Sequence, residues 1–131
     1  MSLVFDTSIL IELDKKNKSI ESELKEYIKS YPTPAQIVFI SYFEFYYGLH
    51  ERNLANKMNS LSFINKFSII TITKNTAHIL ADIKRTLQKK GLVIPLADLL
   101  IAAQVMEHNL ILVTKDKDFG KIENLKKIII E

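Results

Sequence analysis

The chain has 131 residues, 47% hydrophobic and 25% charged, with only three glycines and three prolines; this balance suits one packed globular domain and excludes a disordered, collagen-like or mucin-like chain. It contains no cysteine, which excludes a disulfide framework, a thiolate metal site and a thiol nucleophile and leaves oxygen and imidazole as the available metal ligands. A net charge of +3 mildly favours a polyanionic partner without requiring one.

In chain order, Leu3–Phe5 is a short apolar run that stops at Asp6-Thr7-Ser8, the pattern of a buried strand followed by a helix start. The opening MSLVF lacks the basic start and long apolar stretch of a signal peptide, and no later run reaches transmembrane length, so a cytoplasmic protein with no membrane contact is expected. Ser19 opens a helical segment in which Ile20, Leu24, Tyr27, Ile28 and Tyr31 recur at spacings of three and four, closed by Pro32 and Pro34. Ile37–Ile40 reads as a strand, with Ser41 capping a helix toward Gly48. Leu54, Met58, Leu61 and Ile64 trace another helical face. A strand is expected at Ile69–Ile72, with Thr73 capping a helix through Ala77, Leu80, Ala81, Lys84 and Leu87, which Gly91 ends in a left-handed conformation. Pro95 introduces a helix containing Asp98 and ending near Asn109. Leu110–Thr114, continuously apolar, is a central strand, and Ile128–Ile130 a last one. Strands interleaved with helices predict a three-layer α/β/α fold with a mostly parallel sheet.

Acids recur where these elements meet. Asp6, Glu44, Asp98 and the pair Asp116 and Asp118 each lie at an element boundary beside an apolar run, so they can converge at one edge of the sheet, where ligands of α/β proteins bind. Each has a structural reading too. Asp6 suits a helix N-cap, with Thr7 and Ser8 offering hydroxyls to a ligand or to the carboxylate. Glu44 stands three residues after Ser41, the spacing of a capping box. Asp98 occupies a first helical turn, where the dipole favours an acid, but shares its face with Ala102 and Val105. Asp116 and Asp118 fit a charged turn flanked by lysines; Thr114 is placed to orient one of them. Clustered carboxylates repel one another, and a hard cation, Mg²⁺ or Mn²⁺, would balance them and activate a water for phosphodiester hydrolysis. The three histidines lack zincin spacing. Lys15, Lys16, Lys18, Lys115, Lys117 and Lys121 read as a basic rim or as solvated surface, and Tyr42, Tyr46 and Tyr47 as a packing or subunit surface.

Over nearly its whole length the sequence resembles the PIN-domain family, and within it the VapC-type toxins of prokaryotic toxin–antitoxin pairs. The motifs are Val4-Phe5-Asp6-Thr7-Ser8, Ile40-Ser41 leading to Glu44 and Gly48, Gly91 and Pro95 before Asp98-Leu99-Leu100-Ile101-Ala102-Ala103, and Leu112-Val113-Thr114-Lys115-Asp116. The resemblance implies an Mg²⁺- or Mn²⁺-dependent endoribonuclease acting on an RNA substrate, with Asp6, Glu44, Asp98 and Asp116 as metal-site acids and Asp118 as an auxiliary. It also implies a homodimer neutralised by a small cognate antitoxin. Competing readings are an RNA-processing nuclease of the same family without an antitoxin, a noncatalytic RNA-binding module, and a receiver domain.

Overall fold

The computed structural model describes all of residues 1–131. Five parallel strands, β1 (Leu3–Phe5), β2 (Gln36–Val38), β3 (Ser68–Ile70), β4 (Ile111–Thr114) and β5 (Lys127–Ile129), form one sheet in the order β3-β2-β1-β4-β5. The first strand in sequence is thus the central one, paired Val4 with Leu112 and Phe5 with Val113. Its residues are all buried, as expected for a strand covered on both faces.

The side-chain alternation of the strands divides the core in two. Val4, Val38 and Leu112 face one layer, made by α5 (Lys74–Lys89) and α6 (Leu96–Glu107) through Ile83, Leu87, Leu99, Ala102 and Val105. Leu3, Phe5, Ile37, Ile111 and Val113 face the other. There they meet α1 (Thr7–Asp14), α2 (Lys18–Ser30), α3 (Phe39–Gly48) and α4 (Leu54–Ile64), through Ile9, Leu10, Ile20, Leu24, Phe45 and Ile64. This is the expected three-layer α/β/α architecture. Ala102 and Ala103, fully buried, remove side-chain bulk where α6 packs.

Several boundaries shift for local reasons. The second helix begins at Lys18, because Asn17 is its cap and accepts from the amides of Ser19 and Ile20. The strand expected over Ile37–Ile40 ends at Val38, and α3 begins at Phe39 without a side-chain cap. Ser41 is therefore not a cap: it lies inside α3, fully buried, with its hydroxyl unpartnered. The strand expected over Ile69–Ile72 is Ser68–Ile70, where the amide of buried Gln104 donates to the Ile70 carbonyl at 2.9 Å. Of the traced α4 face, Ile64 is buried, whereas Leu54 and Met58 stand in solvent.

Thr73 caps α5 as expected, in a capping box with Thr76. A carboxylate from the neighbouring helix completes it: Glu107, in the last turn of α6, accepts from Thr73 Oγ1 at 2.7 Å and from Thr76 Oγ1. An acid at a helix C-terminus opposes that helix's own dipole, but here it sits at the positive end of α5. Left-handed residues follow three helices: Lys16 (φ 59°), Gly91 (φ 71°) and Asn109 (φ 53°).

Candidate active site

In the strand order β3-β2-β1-β4-β5 the winding direction reverses between β1 and β4, and the crevice outside their carboxyl ends is where an open α/β sheet binds ligands. The tripeptide Asp6-Thr7-Ser8 leaves β1 at this point, held by an Asp6 amide bond to the Val113 carbonyl at 3.2 Å. Each of its side chains then ties a different part of the molecule. Asp6 Oδ1 accepts from Ser8 Oγ at 2.6 Å and from the Ile9 amide at 3.1 Å, so the residue does cap α1, while Oδ2 accepts from Thr114 Oγ1 at the end of β4. Thr7 Oγ1 donates to Glu44 Oε1 at 2.6 Å, bringing α3 to the site. Ser8 Oγ accepts from the Lys115 amide at 3.1 Å.

Thr114 connects two acids. Its hydroxyl donates to Asp6 and accepts from the Asp116 amide at 2.9 Å, fixing the turn that follows β4. Asp116 Oδ1 in turn accepts from the Asp118 amide at 2.9 Å and caps the 3₁₀ turn Lys117–Lys121. Asp118 lies outermost, exposed and 3.3 Å from Lys121 Nζ. The capping-box reading of Glu44 fails: its carboxylate answers Thr7, not the Ser41 amide.

Asp98 enters from the first turn of α6, half-buried and without a hydrogen-bond donor of its own. Its carboxyl is pushed up to about 6, first by burial and then by the charges of Asp116, Glu44, Asp6 and Asp118. All five sequence-predicted acids therefore stand in one electrostatic neighbourhood. Burial also raises Asp6, which is 4% exposed, and the Asp116 charge adds to it; the Ser8, Thr114 and Ile9 donors pull the other way. Two helix N-termini, those of α1 and α6, carry acids here, which the helix dipoles favour. The acids do not close into a cage: no three His, Cys, Asp or Glu side chains come together as a ready-made metal site.

No histidine hydrogen-bonds to these acids. The six lysines read as one rim are dispersed: Lys115 pairs with Glu12 at 3.8 Å beside Ser8, Lys121 with Asp118 and Lys18 with Glu21. Lys15 and Lys16 line a separate cleft at the far end of α1, with Arg52 and Lys66. Those two cations lie 36 to 51 residues away in sequence, and no local spacing relates them to the lysines.

The family profile of the PIN domain matches residues 3–125. The sequence by itself matches no curated protein. Among solved structures the chain is similar to VapBC2 from Rickettsia felis bound to a promoter DNA fragment, at 25% identity and a TM-score of 0.86 with all of both chains covered. It is also similar to VapBC-1 from nontypeable Haemophilus influenzae, at 23% identity and 0.83 over 98% of each chain. A toxin–antitoxin complex from Klebsiella pneumoniae matches at 24% identity and 0.75, over 98% of this chain and all of that one. A profile spanning nearly the whole sheet and the fold shared with several VapBC-type toxins lead to one conclusion: the chain belongs to the PIN domain family.

Proposed function

We propose that residues 1–131 act as a metal-dependent endoribonuclease domain, the toxin of a VapBC-type pair, hydrolysing RNA phosphodiester bonds in the cytoplasm. The observation that carries this reading is the gathering of Asp6, Glu44, Asp98 and Asp116 at the β1–β4 switch point, where Asp98 feels the charge of each of the others. Family membership supports it. A noncatalytic module gains nothing from such mutual repulsion.

The donor set fits Mg²⁺ or Mn²⁺. It is all oxygen, as hard cations require, and the Asp98 carboxylate is destabilised by neighbours whose charge a cation would offset. Mg²⁺ keeps several of its waters and needs only one or two carboxylates directly, which agrees with acids that do not form a cage unaided. Asp6, Glu44, Asp98 and Asp116 are the proposed ligands, directly or through water; Asp118 is auxiliary, at the rim. When bound, the metal lowers the pKa of a water and offsets charge on the phosphate. The chain's own part is positional: Thr7 orients Glu44, Ser8 and Thr114 hold the two oxygens of Asp6, and Thr114 sets the turn that carries Asp116.

The partners in this reading are an RNA substrate, a second copy of the chain and a small cognate antitoxin. Partner surface is available where Phe39, Phe43, Tyr46 and Tyr47 of α3 and Leu54 and Met58 of α4 are exposed, a concentration of apolar side chains that monomeric surfaces rarely carry. Phe43, Tyr46 and Tyr47 line a groove of about 380 Å³ there. The deciding experiment is cleavage of total RNA by the purified protein with Mn²⁺ or Mg²⁺, against EDTA and Asp98→Asn controls. Cleavage lost in both controls supports the reading; absence of cleavage together with absence of Mn²⁺ binding in calorimetry overturns it.

A further inference from the structure

A second feature of the surface lies at the opposite end of α1 from Asp6. The C-terminal turn of α1 and the outer face of α4 enclose an open cleft of about 670 Å³, of whose eleven lining residues only Leu13 and Phe63 are apolar. Four cations, Lys15, Lys16, Arg52 and Lys66, stand there against one acid, Asp14. That local excess equals the net charge of the whole chain.

Three of the four cations are in no ion pair. Lys18, Lys29, Lys90, Lys115 and Lys121 each find a carboxylate, but Lys15, Lys16 and Lys66 have none. Asp14 is itself spent on Arg52, whose Nη1 donates to Asp14 Oδ2 and to Ser60 Oγ, each at 2.8 Å, while Ser60 Oγ donates to the same Asp14 oxygen. This part-buried clasp holds the guanidinium still, and its other N–H donors make no hydrogen bond within the protein. A rigid, partly exposed fork with free donors is suited to phosphate oxygens. Lys16, left-handed at φ 59° in the turn that ends α1, adds an unpaired cation to the cleft.

Position links the cleft to the acids. Ser8, Glu12 and Lys15 share one face of α1 at helical spacing, so this face leads from the acid site to the cleft. The eight residues of α1 span about 12 Å, at 1.5 Å each, or three to four stacked nucleotides at about 3.4 Å. We propose that this cleft binds the phosphate backbone of an RNA strand a few nucleotides away from the bond presented to the acid site. The inference rests on the ribonuclease reading and specifies where its substrate lies. An acidic peptide is the weaker fit, because peptide grooves are anchored by apolar pockets and only Leu13 and Phe63 of this cleft's lining are apolar.

The test is binding of a fluorescein-labelled twelve-nucleotide oligouridine to the full chain in EDTA, by anisotropy across a salt series. Lys15→Gln/Lys66→Gln removes two exposed cations that have no ion-pair partner, and is expected to flatten the slope of log affinity against log salt by about 1.4, at about 0.7 per phosphate contact. Lys84→Gln, which removes an exposed cation of α5 in the layer on the other side of the sheet, should leave that salt slope unchanged. An unaltered slope in the double variant overturns the cleft assignment while cleavage by the wild type leaves the ribonuclease reading standing. Equal competition by a polyglutamate twelve-mer, lost in the same variant, reassigns the cleft to acidic peptides. Failure of the wild type both to bind and to cleave overturns both.

Discussion

Asp98 concentrates the opposing demands on this site. Its carboxyl sits near 6 because burial and four neighbouring acids disfavour its charge, so in metal-free protein the ionised side chain works against folding. The raised folded value means that the folded state holds the proton more tightly than the unfolded chain, so stability falls as pH rises from about 4 through about 6. Asp98→Asn should therefore stabilise the protein in EDTA at pH 7.5 by about 1–2 kcal/mol, after discounting for solvent screening, and change little at pH 4. Denaturant melts at the two pH values measure this; equal effects at both would contradict it. In the presence of Mn²⁺ the same substitution should lower RNA cleavage by about 10²–10³-fold, the loss typical of removing one electrostatic stabiliser. The sequence shows each acid through its place beside an apolar run, and Asp6 proves to be a cap as well as a member of the cluster. It does not show the hydroxyl bonds: Thr114 and Asp6 are 108 residues apart, and no spacing rule connects them.

At the scale of elements, the Glu107 clasp ties the end of α6 to the start of α5. Its side chain is 7% exposed, and although burial raises its carboxyl, the Thr76 and Thr73 hydroxyls bring the net value below the ordinary glutamate range. A lowered folded value contributes stability that is present at neutral pH and is lost as pH falls through it. Glu107→Ala is expected to cost about 1–2 kcal/mol at pH 7, the worth of a helix cap, and less in acid; a pH-independent cost would show that the carboxylate is not the stabilising group. Gly91 gives a simpler case. A Cβ there would meet nothing within 4 Å, but φ is 71°, so Gly91→Ala should destabilise by about 1 kcal/mol through the backbone alone, and Gly91→Asn by less. Gly91, Thr73 and Pro95 were legible because each acts on its own neighbours. Ser41 was misread because serine before a helical run is the ordinary cap pattern, whereas here the chain enters α3 two residues earlier and draws the hydroxyl into the core. Leu54 and Met58 show the limit of periodicity: an apolar stripe at helical spacing identifies a face to be covered, but not whether this chain covers it.

At the scale of the molecule, that uncovered stripe predicts association. With Tyr47 at 72% and Leu54 at 73% exposure, the wild type should sediment at about twice its 15.1 kDa, and Tyr47→Ser/Leu54→Ser should run as a folded monomer. A double variant that keeps the wild-type mass but no longer binds a co-expressed antitoxin would instead assign the stripe to that partner. The central position of β1 has a further consequence, for the order in which the protein comes into being. The strand that leaves the ribosome first must wait for β2 on one side and β4 on the other, and Asp6 waits about 5–20 s at ordinary elongation rates for the threonine that secures it. A nascent chain stalled between α6 and β4 thus holds Asp6, Glu44 and Asp98 but not the strand that aligns them. Translation itself times the assembly of the site, which is complete only when nearly all of residues 1–131 have emerged.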